Sequence, residues 1–222
     1  MILDAFHFLL GLLRDPGPFI AWAGYPGLAA IIFLETGAMI FFLPGDSLLF
    51  VAGMYAAKGD LNIVALNALL IPMAIAGDAT SYWIGHRTGP KIFSRPRSRF
   101  FNPDHIRAAH AFYEKHGGKA IVLARFMPLV RTFTPVVAGV AQMRYRDFAF
   151  YNVIGGAGWV ASMTLLGWGL GMRFPILGDH IEKVIILIVF LSVLPAVISI
   201  LKERKKSRAE AAKQQTPPPP AP

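Results

Sequence analysis

Five ionisable residues stand inside long apolar stretches of this chain: Glu35, Asp46, Asp78, Arg125 and Arg131. At the centre of a membrane helix each charge costs roughly 2.5 to 3.5 kcal/mol on insertion scales, so five unpaired ones would cost on the order of 10 kcal/mol or more. They must pair with one another or line a wet cavity. Arginine stays charged and offers a planar fork of donors that matches phosphate oxygens, which makes Arg125 and Arg131 candidates to clamp an anionic headgroup. Glu35 can hold or release a proton, and could couple movement to a proton gradient. Asp46 could do the same or pair with an arginine. Simple cancellation as buried ion pairs is the competing reading, and it weighs most for Asp78, to which we assign a supporting role.

Other chemistries find little support. The six histidines contain no H-E-x-x-H, and His105 and His110 are spaced off a common helical face, so neither a metal site nor a cofactor is expected. Ser47 and Ser81 lack a histidine and acid arrangement for nucleophilic catalysis. A membrane lipid phosphatase would carry K-x6-R-P and S-G-H elements. Here five residues separate Lys119 from Arg125, Phe126 follows the arginine and no S-G-H occurs, so an enzyme is not expected. Tyr82, Trp83, Trp159 and Trp168 read as packing or interface anchors.

These residues need a membrane scaffold. Of 222 residues, 55% are hydrophobic and only 16% charged, and the mean hydropathy of +0.49 is not that of a soluble domain. The net charge of +9 falls between apolar runs rather than within a recognition fold, so it reads as membrane topology and not as nucleic-acid binding. With no cysteine, disulfides and thiolate metal sites are excluded.

Residues 1–18 are expected to form an N-terminal interfacial helix, because the apolar stretch ends at Asp15-Pro16-Gly17-Pro18, about half the roughly 20 residues needed to span. The membrane domain then runs over 19–201. Pro44 and Gly45 are a natural tip for two half-helices, Leu28 to Phe42 and Ser47 to Ala56, forming a hairpin over 28–56. After the turn at Lys58-Gly59-Asp60, residues 61–84 can cross the bilayer. Residues 87–119 carry eight Lys or Arg against two acids and read as a cytoplasmic, basic, amphipathic segment. Residues 147–172 and 184–201 read as further spans, and 202–222 as a disordered basic and Pro-rich cytoplasmic tail.

Parity then constrains the remaining block. The positive-inside rule puts both 87–119 and the tail in the cytoplasm, and two spans already separate them. Residues 120–143 must therefore enter and leave on one side, as a second hairpin turning near Pro128 or Pro135. The two hairpins would approach the midplane from opposite faces, each followed by a spanning helix, as in transporters built from inverted repeats. The expected fold is an all-α integral membrane protein: two opposed re-entrant helical hairpins plus transmembrane helices in an inverted repeat.

Several motifs resemble those of one family. Glu35-Thr36-Gly37, the run Phe42-Leu43-Pro44-Gly45-Asp46-Ser47, and Ala52-Gly53 are similar to the first hairpin of the DedA family of bacterial membrane proteins, which share the VTT domain. Gly77-Asp78, Tyr82, Gly85 and Gly89 resemble the element that follows. Ala124-Arg125-Phe126, Pro128, Arg131, Pro135, Gly139 and Met143 resemble the second hairpin; Asn152, Gly156 and Trp159 resemble the third element. His86 departs from the arginine of many members.

The resemblance implies a multi-pass protein of the bacterial cytoplasmic (inner) membrane that moves lipid. Its expected substrate is an anionic polyprenyl phosphate, in particular undecaprenyl phosphate, with dependence on the proton motive force. It implies Arg125 and Arg131 at the phosphate, Glu35 and Asp46 in proton coupling, and Asp78, Pro44, Gly45, Pro128, Pro135 and Gly139 in support. The expected partners are anionic lipid, protons and the membrane, with room for a homo-oligomer. A proton-coupled small-ion transporter, a scramblase of broader specificity and a lipid phosphatase are the alternatives.

Overall fold

The structure, a computed structural model, describes Gly11 and residues 16–38, 40, 45–93, 118–125 and 128–174. Most of the expected interfacial helix, Pro44, most of the basic segment, the span at 184–201 and the tail lie outside the described residues. Within them are six helices and no strand: α1 (Gly17–Gly37), α2 (Gly45–Lys58), α3 (Ile63–Phe93), α4 (Lys119–Arg125), α5 (Pro128–Val140) and α6 (Tyr145–Arg173). Three of them, α1, α3 over Ile63–Gly89 and α6, are long and apolar enough to cross a membrane.

The first helix begins earlier than expected. Gly24-Tyr25-Pro26-Gly27 is a kink inside α1 rather than its boundary, because Gly24 alone leaves the helical conformation (φ 52, ψ −143). Pro26 then falls in the first turn of the following segment, where a missing N–H costs nothing. The third helix likewise does not stop at Gly85. Gly85 and Gly89 are contact positions: a Cβ on Gly85 would overlap the Val136 carbonyl, and one on Gly89 would stand 3.1 Å from the Val140 Cα. Of the two prolines considered for the second turn, Pro128 begins α5 and Pro135 lies within it.

Turn chemistry sets the other boundaries. The Asn62 side-chain oxygen accepts from the Val64 and Ala65 amides at 2.9 and 3.0 Å, capping α3. The second helix ends in a Schellman motif: Gly59 is left-handed (φ 91), with Asp60 N–H donating to the Tyr55 carbonyl and Gly59 N–H to that of Ala56. The fifth helix ends the same way. Gln142 is left-handed (φ 54), with Met143 N–H donating to the Ala138 carbonyl and Gln142 N–H to that of Gly139.

Contacts fix the relative heights of the helices. The Asn62 N–H at the start of α3 donates to the Tyr25 hydroxyl at 2.7 Å. A Cβ on Gly37, the last residue of α1, would stand 3.2 Å from the Gly77 Cα, near the middle of α3. Residues 25–37 thus climb alongside the first half of α3 and stop. The sixth helix runs antiparallel to α3, since Asn152 Nδ2 donates to the Ile75 carbonyl at 3.0 Å while Thr164 Oγ1 donates to Asn67 Oδ1 at 3.0 Å.

Glycines allow the closest crossings. On α2, Gly53 meets the backbone of Thr164 and Trp168, and on α6, Gly167 meets Phe50. On α5, Gly139 meets the backbone of Tyr82 and His86 of α3. So α2 packs on α6, and α5 packs on α3; α1 lies on α3, and α4 on α6. The main core joins Leu28, Ile32, Leu49, Phe50, Leu66 and Trp159. Trp22, Val64, Leu123, Phe150 and Leu166 are exposed on the outside. Apolar surface both within and without suits a bundle set in lipid.

Candidate functional site

Each of the six helices brings one side chain to a single buried cluster: Glu35 from α1, Asp46 from α2, Asp78 from α3, Arg125 from α4, Arg131 from α5 and Trp159 from α6. Glu35 is wholly buried; Asp78, Arg125 and Arg131 are buried too, and Asp46 is the most open of the charged five. All five charged residues singled out from the sequence therefore meet.

Arg131 holds two acids. Its Nη2 donates to Glu35 Oε1 at 2.5 Å and its Nη1 to Asp46 Oδ1. The Arg125 Nη1 pairs with Asp78 Oδ2. Asp78 is thus the direct partner of an arginine, a closer role than general support. With every group ionised, three carboxylates and two guanidiniums leave the cluster one negative charge in excess.

Local structure favours some of these placements and opposes one. Asp46 lies in the first turn of α2 and Arg125 in the last turn of α4, each on the side of the helix dipole that stabilises its sign. Glu35 sits in the last turn of α1, where the dipole disfavours a negative charge, and Arg131 offsets it. The end of α1 is also buried, so its terminal carbonyls need donors. Ser81 supplies one: its hydroxyl lies 2.7 Å from the Thr36 carbonyl and 2.9 Å from that of Gly37.

Glycine makes room for the charges. A Cβ on Gly45 would overlap the Glu35 carboxylate, and one on Gly156 would come within 2.9 Å of Arg125 Nη2. Pro128 opens the helix that carries Arg131 three residues later. Pro135 lies four residues after Arg131 and lacks the N–H that would bond the Arg131 carbonyl. Gly139 lies two turns beyond Arg131 and belongs to the packing against α3, not to the charged cluster.

Two residues of the site escaped the sequence reading. Trp159, taken there as packing or an interface anchor, donates its indole N–H to Asp46 Oδ1 at 2.8 Å. Its ring centroid lies 4.6 Å from the Arg131 guanidinium carbon and 5.7 Å from that of Arg125. Its position was the available signal, since interface belts sit at helix ends and Trp159 falls in the middle of a 29-residue helix. Ser81, considered only as a nucleophile, serves as a cap.

Both arginines are engaged by carboxylates, yet Arg125 Nε, Arg125 Nη2 and Arg131 Nε have no hydrogen-bond partner among the described residues. Guanidinium N–H groups of this kind are donors matched in geometry to carboxylate and phosphate oxygens. Among the described residues no group of three or more His, Asp or Glu could hold a metal ion.

The fold and the cluster together define a multi-pass helical membrane protein with ion pairs gathered inside the bundle. Residues 43–169 match the family model of the VTT domain. The chain is 48% identical over 192 residues to Protein DedA of Escherichia coli strain K12, covering 85% of this chain and 87% of the relative. It is 43% identical over 184 residues to the uncharacterized membrane protein ML0287 of Mycobacterium leprae, covering 83% and 82%. It is 38% identical over 150 residues to Inner membrane protein YqjA of E. coli K12, covering 65% and 66%. No solved structure matches. The chain belongs to the DedA family of VTT-domain membrane proteins and is a multi-pass bacterial membrane protein.

Proposed function

We propose that this protein is a lipid transporter of the inner membrane, a flippase that moves an anionic polyprenyl phosphate, specifically undecaprenyl phosphate, with the proton motive force. The observation that carries this reading is Arg131 shared between Glu35 and Asp46 beside the Arg125–Asp78 pair. An anionic headgroup replaces carboxylates on the arginines, and protons on Glu35 or Asp46 compensate the displaced charge. Only the headgroup needs the polar cluster; the isoprenoid chain stays in the bilayer. No bond is made or broken, so the reading is of a carrier and not an enzyme.

In this reading α1 does not cross. Residues 25–37 and α2 form one re-entrant hairpin, and α4 with α5 forms the other. The height contacts support this, because α1 ends beside the middle of α3 and α2 returns to the start of α3. An inverted repeat, α1 to α3 against α4 to α6, is supported by the exchange of contacts, with α2 on α6 and α5 on α3. It is also supported by matched Schellman ends, and by Gly85 and Gly89 of α3 meeting α5 as Gly167 and Gly171 of α6 meet α2. The C-terminal tail is cytoplasmic.

The test is transbilayer movement of undecaprenyl phosphate in proteoliposomes, with and without a proton gradient, for wild type, Arg125→Ala and Glu35→Gln. Movement that needs both residues and responds to the gradient is the expected result. Wild type matching empty vesicles refutes the substrate, and movement of inorganic phosphate instead points to a proton-coupled small-ion carrier.

A further inference from the structure

Two guanidiniums repel one another, and an anion-binding site must nevertheless hold them side by side while it is empty. Among the described residues the carboxylates do this only in part, since Glu35 and Asp46 both form ion pairs with Arg131, Arg125 forms its ion pair with Asp78, and no carboxylate is ion-paired to both arginines. The remaining group that touches both is the Trp159 ring, whose centroid lies within 6 Å of each guanidinium carbon. The face of an indole carries negative quadrupole density, and the attraction strengthens when water is excluded. Trp159 is 1% exposed. Its N–H also fixes the Asp46 oxygen that accepts from Arg131. One side chain on α6 thereby sets the position of groups on α2, α4 and α5.

We propose that Trp159 is a positioning residue for the anionic headgroup: its ring is a shared platform for Arg125 and Arg131, and its indole N–H receives the charge of Asp46. When an anion takes Arg131 from Asp46, the indole donor stays with the carboxylate, so the displaced acid keeps a partner. The platform keeps both forks aimed at one phosphate. This rests on the anion-transport reading above, and the experiment separates the two.

The comparison is between wild type, Trp159→Phe and Trp159→Leu, each purified as a folded, monodisperse full chain and reconstituted with undecaprenyl phosphate. Phenylalanine keeps a weaker π face and loses the donor; leucine loses both. A rise in KM of roughly tenfold for Trp159→Leu and a smaller one for Trp159→Phe, with kcat within about twofold of wild type, is the expected outcome. An unchanged KM with a reduced kcat or reduced folded yield makes Trp159 a packing residue and overturns the proposal. A second measurement does not depend on transport. With Trp22, Trp83 and Trp168 replaced by Phe, Trp159 is the sole tryptophan, and its emission is titrated with inorganic phosphate. A saturable change that Arg131→Ala abolishes supports the proposal even where wild type moves no undecaprenyl phosphate, which counts against the named lipid alone. An unchanged spectrum overturns it.

Discussion

Removing Arg131 leaves Glu35 and Asp46 buried and facing each other with no cation between them. Glu35 is 0% exposed and the Asp46 side chain 13%, so water recovers little of the loss. Breaking a buried ion pair from one side costs about 3 to 5 kcal/mol. At roughly 2 to 4 °C per kcal/mol for a domain of this size, Arg131→Ala should lower the melting temperature by on the order of 10 °C. Adding Glu35→Gln removes one of the stranded carboxylates, so the double variant should melt several degrees above Arg131→Ala, a coupling of at least about 1.5 kcal/mol. The assay is thermal unfolding in detergent followed by size-exclusion recovery. An internal control exists in Arg144–Asp147, whose side chains are 85% and 41% exposed; Arg144→Ala should change stability by less than about 1 kcal/mol. If Arg131→Ala behaves like Arg144→Ala, or the double variant is no better than the single, the cluster is not the buried, mutually dependent network described above.

Glycine substitutions should divide by what surrounds them. Gly139→Ala forces a Cβ into the Tyr82 backbone and should destabilise by about 1 to 3 kcal/mol, whereas Gly158→Ala meets nothing within 4 Å and should stabilise by up to about 1 kcal/mol, both read as shifts in Tm. Thr164→Val removes the hydroxyl that joins α6 to Asn67 and should cost roughly 0.6 kcal/mol, with little further loss when combined with Asn67→Ala. For the re-entrant reading, the absence of native cysteines permits single-cysteine labelling in cells. Trp22→Cys and Asp60→Cys should react with an impermeant thiol reagent from one side and Arg144→Cys from the other; opposite sides for Trp22 and Asp60 would make α1 a full crossing.

Much of this protein was legible as composition and interruption. The hydropathy demanded a membrane, and Gly59 and Pro128 marked turns because their backbone chemistry is local. The energetic cost of five charges in apolar stretches required them to pair with one another or to line a wet cavity, and the structure brings all five into ion pairs. The second helix and the sixth began and ended within a few residues of expectation, the second because the left-handed Gly59 acts over one turn. Where expectation failed, a neighbouring helix had decided. The helices expected from 28 and up to 84 ran past those bounds: a kink at Gly24 carries the first back to Gly17, and Gly85 is bare of side chain so that α5 can approach.

Partnership was the part that one-dimensional order did not contain. Nothing in the spacing of Asp78, Glu35 and Asp46 says which arginine each one faces, because the pairs join residues 47 to 96 positions apart and depend on α3 and α6 running antiparallel. Trp159 shows the limit most clearly. Its residue type suits packing, an interface or a cation equally well, and only its burial against two guanidiniums and a carboxylate selects among them. The sequence by itself determined that five charges lie within apolar stretches and must pair with one another or line a wet cavity. The tertiary structure alone decided how the charges share their partners, because electrostatic complementarity is a property of distances between helices, and those distances are set by glycine crossings far along the chain.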